Sequence, residues 1–573
     1  MPSFSARPLV AFAVAAIVSI SPVCAKAETE DAGAYLAARV AGNSSDYRAA
    51  ASWFARALIA DPKNPVLLES SVLANIALGE FPQAAALARL LQQTGSKSQV
   101  GQIAILAEQA MADDYQAILK DGKAGASVGA LPDGLIAAWA QLGNGQMSDA
   151  LTAFDALASA EGMKAFALYH KALALASAGD FEGADDILSG RASGPLQVMR
   201  RGVIAHAEIL SQLERNKDAQ DLLGKTFGAG NDPVIDTLQA KLAAGDTLPY
   251  DIARTAKDGI AEVFYSIATA MSGEAEPGFT LVHARVAAYL RPDHSDAVLM
   301  VAGLLEQQGQ SDLATEVYSQ IAPTDPTFYV AEIGRADALI TTGRRDAAIE
   351  VLQGLARSNV GVLQVHLALA DALRQAEKYS DAIKSYDTAI SLIPSEEPRH
   401  WPVFYSRAIC KERSEDWTGA EADFRKALAL QPDQPQVLNY LGYSFLDRNE
   451  NLVEALDMVK RAVAAEPDSG YILDSLAWAL YRLGRFDEAV VPMEKASLLE
   501  PVDAVVTDHL GDVYWAVGRK LEAEFQWRRA ASFNPAEKDA ARIKRKLEAG
   551  LDVVLTEEGA APLKPVDAAD ASN

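Results

Sequence analysis

The chain has 573 residues, of which 50% are hydrophobic and 23% charged, and this excludes wholesale disorder. Asp and Glu outnumber Lys and Arg by 77 to 52, a net charge of -25 that argues against DNA, RNA and anionic lipid surfaces as partners. Two cysteines are too few for a disulfide framework or a cysteine-rich zinc site.

In chain order, residues 1–27 read first, as an export signal. Arg7 gives the positive start, Leu9 to Ile20 an apolar run, and Ala25-Lys26-Ala27 a small-residue cleavage site. The run is shorter than the about 20 residues a membrane span needs. Cleavage after Ala27 would send the mature chain to the periplasm. Cys24 is preceded by Ser21-Pro22-Val23, a poor match to a lipoprotein cleavage box, and its acylation is the alternative reading.

From residue 28 onward a ladder of alanines sets the pattern. Phrases of turn, aromatic, two residues and Ala recur, as in Gly179-Asp180-Phe181-Glu182-Gly183-Ala184 and Gly484-Arg485-Phe486-Asp487-Glu488-Ala489. Aligning on the last residue gives Ala50, Ala84, Ala150, Ala184, Ala219, Ala314, Ala348, Ala382, Ala420, Ala455, Ala489 and Ala523. Most steps are 34 or 35 residues, one is 38, and two gaps of 66 and 95 leave room for up to three degenerate units. Four residues after the Ala comes a large apolar residue, as at Phe54, Phe154, Tyr386, Phe424 and Trp527. Twelve after it comes a proline, as at Pro62, Pro326, Pro432 and Pro501, which cannot continue a helix and resets the chain.

This pattern resembles the tetratricopeptide repeat (TPR), a helix–turn–helix unit of 34 residues, over nearly the whole mature chain. The physical reason is close packing: small residues let two helix backbones approach while large ones fill the space beside them. The resemblance implies an all-α superhelical solenoid, in which each unit buries its apolar face on its neighbours. The expected order is an N-terminal array over 28–225, degenerate repeats over 226–292 that read either as a hinge or as simple repeat decay, and a C-terminal array over 293–535. A solvated capping helix is expected over 536–550 and a disordered acidic tail over 551–573.

Chemistry-bearing motifs are weak. Gly125-Ala126-Ser127-Val128-Gly129 fits a nucleophile-elbow string but lies in a loop between helical repeats, where no strand precedes it. Gly224-Lys225-Thr226 fits the end of a phosphate loop but falls on a helix. The seven histidines are too scattered to share a metal. Cys410 is expected to be buried and inert. No catalytic residue, metal site or cofactor is assigned.

Function is then expected on a surface. In TPR proteins the first helix of each unit lines a concave groove, and the resemblance places Leu367, Asp371 and Arg374 there. Successive units add Tyr405, Ile409 and Glu412, then Asn439, Tyr443 and Leu446, then Asp474, Trp478 and Tyr481, and last Asp508, Asp512 and Trp515. Aromatic anchors supply contact area, and carboxylates favour cationic partners. Arg407 stands where the unit's large apolar residue should be, so the register of Tyr405, Ile409 and Glu412 is the least regular.

The run Asn439 to Arg448, with Tyr471 to Trp478 and Asp508 to Gly518, is similar to exported proteobacterial TPR proteins. One branch of these comprises lipoprotein adaptors of periplasmic carboxy-terminal processing proteases. The resemblance implies a non-catalytic protein-binding scaffold or adaptor of the cell envelope, with such a protease among its partners. The alternative is a structural component of an envelope polysaccharide or protein secretion machine.

Overall fold

The computed structural model describes residues 32–228 and 232–564; the expected leader with Cys24 and positions 565–573 lie outside them. Among the described residues all regular structure is helical: 31 α-helices and one short 3-10 turn at Pro398–His400. The chain divides into two compact units, 1–342 and 343–573.

The first unit opens with six helix pairs. These are α1 (Ala32–Asn43) with α2 (Tyr47–Ala60), α3 (Pro65–Leu78) with α4 (Phe81–Gln93), and α5 (Gln99–Met111) with α6 (Tyr115–Lys123). Next come α7 (Ala130–Gly143) with α8 (Met147–Ala158), α9 (Lys164–Ser177) with α10 (Phe181–Leu188), and α11 (Arg200–Gln212) with α12 (Asn216–Phe227). A single helix follows, α13 (Pro233–Ala243), then α14 (Ala256–Met271) with α15 (Pro277–Leu290), α16 (Ser295–Gln307) with α17 (Ser311–Tyr318), and α18 (Phe328–Thr341).

The second unit starts with α19 (Arg345–Ser358). Its pairs are α20 (Leu363–Gln375) with α21 (Tyr379–Ser391), α22 (Trp401–Arg413) with α23 (Trp417–Leu430), and α24 (Pro435–Arg448) with α25 (Leu452–Ala465). They continue with α26 (Gly470–Arg482) and α27 (Phe486–Leu499), then α28 (Ala504–Ala516) and α29 (Lys520–Ser532). Two helices close it, α30 (Glu537–Ala549) and α31 (Leu551–Glu557).

Local chemistry explains where the pairs begin and end. Asp46, Asp114, Asp180 and Asp416 each accept the backbone N–H three residues on, capping the second helix of their pair. The turn residue just before takes a left-handed φ, which Gly179 meets freely at 86° and Glu415 meets at 65° at some cost. Pro62, Pro432 and Pro501 fall in the loops between pairs.

The core is the one the ladder predicts. All twelve aligned alanines are buried, and so are Phe54, Phe154, Tyr386, Phe424 and Trp527 four residues on. The helices of a pair touch through glycine: a Cβ on Gly511 of α28 would sit 2.4 Å from the Trp527 ring of α29. The 66-residue gap holds a regular pair, α5–α6, with buried Ile118 in the alanine's place.

The 95-residue gap differs from expectation. Residues 226–292 lie inside the first unit, and the division into units falls after Thr342. Helices α14 and α15 leave the row and pack across α3, α5, α7 and α9, the first helices of four preceding pairs. A capping box at Thr255 and Asp258 starts α14 firmly. Gly259 then lets its backbone lie on the Trp139 indole, where a Cβ would come within 2.2 Å.

The far end departs too. The capping helix is not merely solvated: Ile543 and Lys546 of α30 are buried. The segment expected to be disordered from residue 551 forms α31, whose Leu551 and Val554 are buried.

Candidate partner-binding surface

In the second unit the first helices of the pairs, α20, α22, α24, α26 and α28, carry all fifteen expected groove residues. They fall into two groups. On α20, α22 and α24, Leu367, Asp371, Arg374, Tyr405, Ile409, Glu412, Asn439 and Tyr443 are half-buried and reachable. Tyr386 donates to Asp371 at 2.6 Å and Tyr440 to Glu412 at 3.3 Å, so both carboxylates are held in place. The Tyr405 and Tyr440 rings meet edge to face, 6.0 Å apart. Glu412, Asn439, Tyr443 and Asp447 line one open concavity, although the Asn439 Oδ1 itself is buried and has no hydrogen-bond partner. Arg407 takes the place of the apolar residue by a bidentate pair with Asp423, 2.7 Å on each arm, so the packing of α22 on α23 survives.

The second group is closed. Leu446 is a core residue rather than a groove residue, with no exposed surface. Asp474, Tyr481, Asp508 and Asp512 are buried, and Trp478 and Trp515 are half-buried. Trp478 stacks between Tyr481, at 4.7 Å, and His509, at 4.0 Å. Asp474 accepts from His509 Nδ1 at 2.9 Å. Lys546 of α30 donates to Asp508 at 2.7 Å and Asp512 at 2.6 Å, while Trp527 Nε1 donates to Asp512 at 2.9 Å. These carboxylates are therefore satisfied internally and are not free to attract a cationic partner. Burial works against charge on His509, but Asp474, Asp508 and Asp512 outweigh it and raise its pKa.

In the first unit the corresponding face is filled by the chain itself. Glu262 of α14 is buried among α9, α11 and the start of α16. It accepts from Tyr169 at 2.9 Å and Arg201 Nε at 3.0 Å, and His294 Nε2 lies 3.3 Å away. Burial opposes its charge, yet Arg201 and His294 overcome this and hold the carboxyl far below its ordinary range. Trp139 Nε1 donates to His170 Nδ1 at 3.1 Å, which leaves the proton on Nε2, facing Ser266 Oγ of α14 at 3.4 Å. Burial pulls the His170 pKa down to about 4, so it is neutral at pH 7. Sequence reasoning missed this plug, and the one visible signal was the loss of the 34-residue rhythm.

The weak chemical motifs resolve structurally. Ser127 sits in the loop before α7, and its hydroxyl donates to Asp133 at 2.5 Å. Lys225 and Thr226 lie in the last turn of α12. Cys410 is buried, and burial pushes its thiol up to about 11. Among the described residues no group of three or more His, Cys, Asp or Glu side chains is placed to hold a metal ion, and no helix is long and apolar enough to cross a membrane.

The tetratricopeptide repeat family model matches residues 137–189, 333–397, 406–470 and 446–504. A TPR repeat-containing protein of Pseudomonas aeruginosa, PA4667, is 30% identical over 211 residues, covering 36% of this chain and 35% of that protein. Protein FlbA of Caulobacter vibrioides is 30% identical over 177 residues, covering 30% of this chain and 29% of that protein. The chain thus spans about a third of the length of these relatives. Among solved structures, the crystal structure of the APC/C hetero-tetramer Cut9-Hcn1 aligns over 91% of this chain and 96% of its own, at 14% identity and a TM-score of 0.38. Yeast Tom70 aligns over 92% and 99%, at 14% identity and a TM-score of 0.32.

Proposed function

We propose that this chain, which carries tetratricopeptide repeats, is a non-catalytic scaffold that binds partner proteins of the bacterial cell envelope on the inner face of its second unit. The observation that carries the reading is the contrast between the two units. The first has its inner face filled by α14 and α15. The second keeps α20, α22 and α24 reachable, with the Tyr405 and Tyr443 rings half-buried along them. Half-buried aromatic rings beside the Asp371 and Glu412 carboxylates suit a polypeptide, which offers apolar side chains and backbone N–H donors together.

The signal-like sequence over 1–27 supports a periplasmic location. The resemblance of residues 400–535 to exported adaptors makes a carboxy-terminal processing protease the first partner to test. Capture from envelope extract by the purified chain, with crosslinking and mass spectrometry, decides it. An Asn439→Ala/Tyr443→Ala variant is expected to lose bound partners at least tenfold while keeping its helical content. Equal capture by the folded variant would overturn the reading.

A further inference from the structure

The downstream half of that inner face already has an occupant. After α30, Gly550 turns the chain with a φ of 84° directly against Trp515, where a Cβ would come within 2.7 Å of the ring. Residues 551–564 then lie along the repeats. Trp515 Nε1 donates to Asp552 at 3.1 Å. Arg542 donates to Glu558 at 2.8 Å, and Arg545 to Glu557 at 2.6 Å. Leu555 and Leu563 pack on the core of the unit. Leu555 and the stretch from Glu558 to Lys564 border the same cavity as Trp478, Tyr481, Arg482 and Phe486.

Two features mark this contact as displaceable. Its ion pairs are exposed, with side chains between 27% and 49% accessible, and pairs of that kind contribute little. Its outward side is also exposed, with Val553 40% accessible and Glu557 to Pro562 exposed, while the buried Leu551 and Val554 anchor its start. Beneath it lie groups that suit an acidic segment, namely Arg482 and Arg542, which line the same cavity as Trp478 and Tyr481.

We propose that residues 551–564 are a tethered stand-in for the partner. The downstream inner face of the second unit accepts a protein segment of the form Leu-x-Glu-Glu-x-x-x-x-Leu, as spelled here by Leu555, Glu557, Glu558 and Leu563. A partner segment of that chemistry binds by replacing the tethered copy, its carboxylates pairing with Arg542 and Arg545 and its leucines covering the aromatic wall. Tethering gives the internal copy an effective concentration on the order of millimolar, so it sets a threshold that the partner must exceed. This rests on the reading that the second unit binds proteins, and it adds which chemistry that face selects.

The test uses the full chain and a fluorescein-labelled synthetic peptide of residues 551–564, read by anisotropy. Leu555→Asp/Leu563→Asp releases the tethered copy. Glu557→Lys/Glu558→Lys sets two lysines against Arg542 and Arg545, so like-charge repulsion rather than the loss of a weak pair lifts the segment, and it keeps the question answerable if the first variant is poorly folded. Either folded variant is expected to bind the peptide at least tenfold more tightly than the wild type. A peptide with both glutamates changed to lysine is expected not to bind. Combining Arg542→Glu with either release variant is expected to lose the original peptide. No peptide binding by the folded release variants, or equal binding of the charge-reversed peptide, would overturn the proposal. Loss of peptide binding while the wild type still captures envelope partners refutes this inference alone. No capture of any envelope partner by the wild-type chain or by the release variants refutes the wider reading.

Discussion

Two buried histidines have their pKa moved in opposite directions. His170 is neutral, wedged between Trp139 and Ser266, with a pKa near 4 against an ordinary 6.5. The unfolded chain binds the proton first, so the stability this group contributes is present above about pH 6.5 and declines as the pH falls toward 4. The full loss is about 3 kcal/mol. His509, paired with Asp474, has its pKa raised. Its contribution is full below the unfolded value and fades as the pH rises through the folded one. Replacing His170 by Gln is therefore expected to flatten the acid limb of a stability-against-pH curve. Replacing His509 by Gln is expected to remove stability mainly below pH 6.5. Urea unfolding from pH 5 to pH 8 reads both, and identical curves for the variants and the wild type would contradict the assignments.

At the scale of elements, α14 is the unusual helix. Most helices of the chain bury one stripe, but α14 buries eleven of its sixteen residues, two of them the carboxylates Asp258 and Glu262. A helix covered nearly all round lies inside a core rather than on it. Breaking a buried ion pair by removing one member costs about 3–5 kcal/mol, because the other charge stays behind without a partner. Arg201→Ala is accordingly expected to lower the urea midpoint of the first unit and to speed amide hydrogen exchange along α14. Unchanged exchange there would show that the Glu262 network does not hold the plug.

That same helix marks the limit of what the sequence reveals. The phased alanines and prolines reported the stacked pairs faithfully, since each reports contacts made within about one period of its own position. Where α14 docks was not legible, because Glu262 finds Tyr169 93 residues and Arg201 61 residues upstream. The inner strip was legible as a set of positions on first helices. Its accessibility was not, since Asp508 and Asp512 are closed off by Lys546, 38 and 34 residues further on.

For the whole molecule, side-chain packing is concentrated within two units. The first holds a continuous apolar core that includes Trp139, and the second holds a separate core that includes Trp527. Stability in stacked repeats is a sum of units and their neighbour interfaces, and single-step unfolding is not required. Trp53 and Trp139 belong to the first unit, and Trp401, Trp417, Trp478, Trp515 and Trp527 to the second. Unfolding followed by tryptophan emission is therefore weighted to the second unit, while far-ultraviolet ellipticity weighs both. The two curves are expected to separate in urea, and coincidence across the whole range would mean that the chain melts as one cooperative body.

The seat of Gly550 on Trp515 makes the molecule its own indicator. With residues 551–564 in place, that indole is screened on one side and anchored through Nε1 to Asp552. Lifting them admits water to the ring, and its light shifts to longer wavelength. The state of the inner face is thus written in an intrinsic colour, readable without any dye in a native sample.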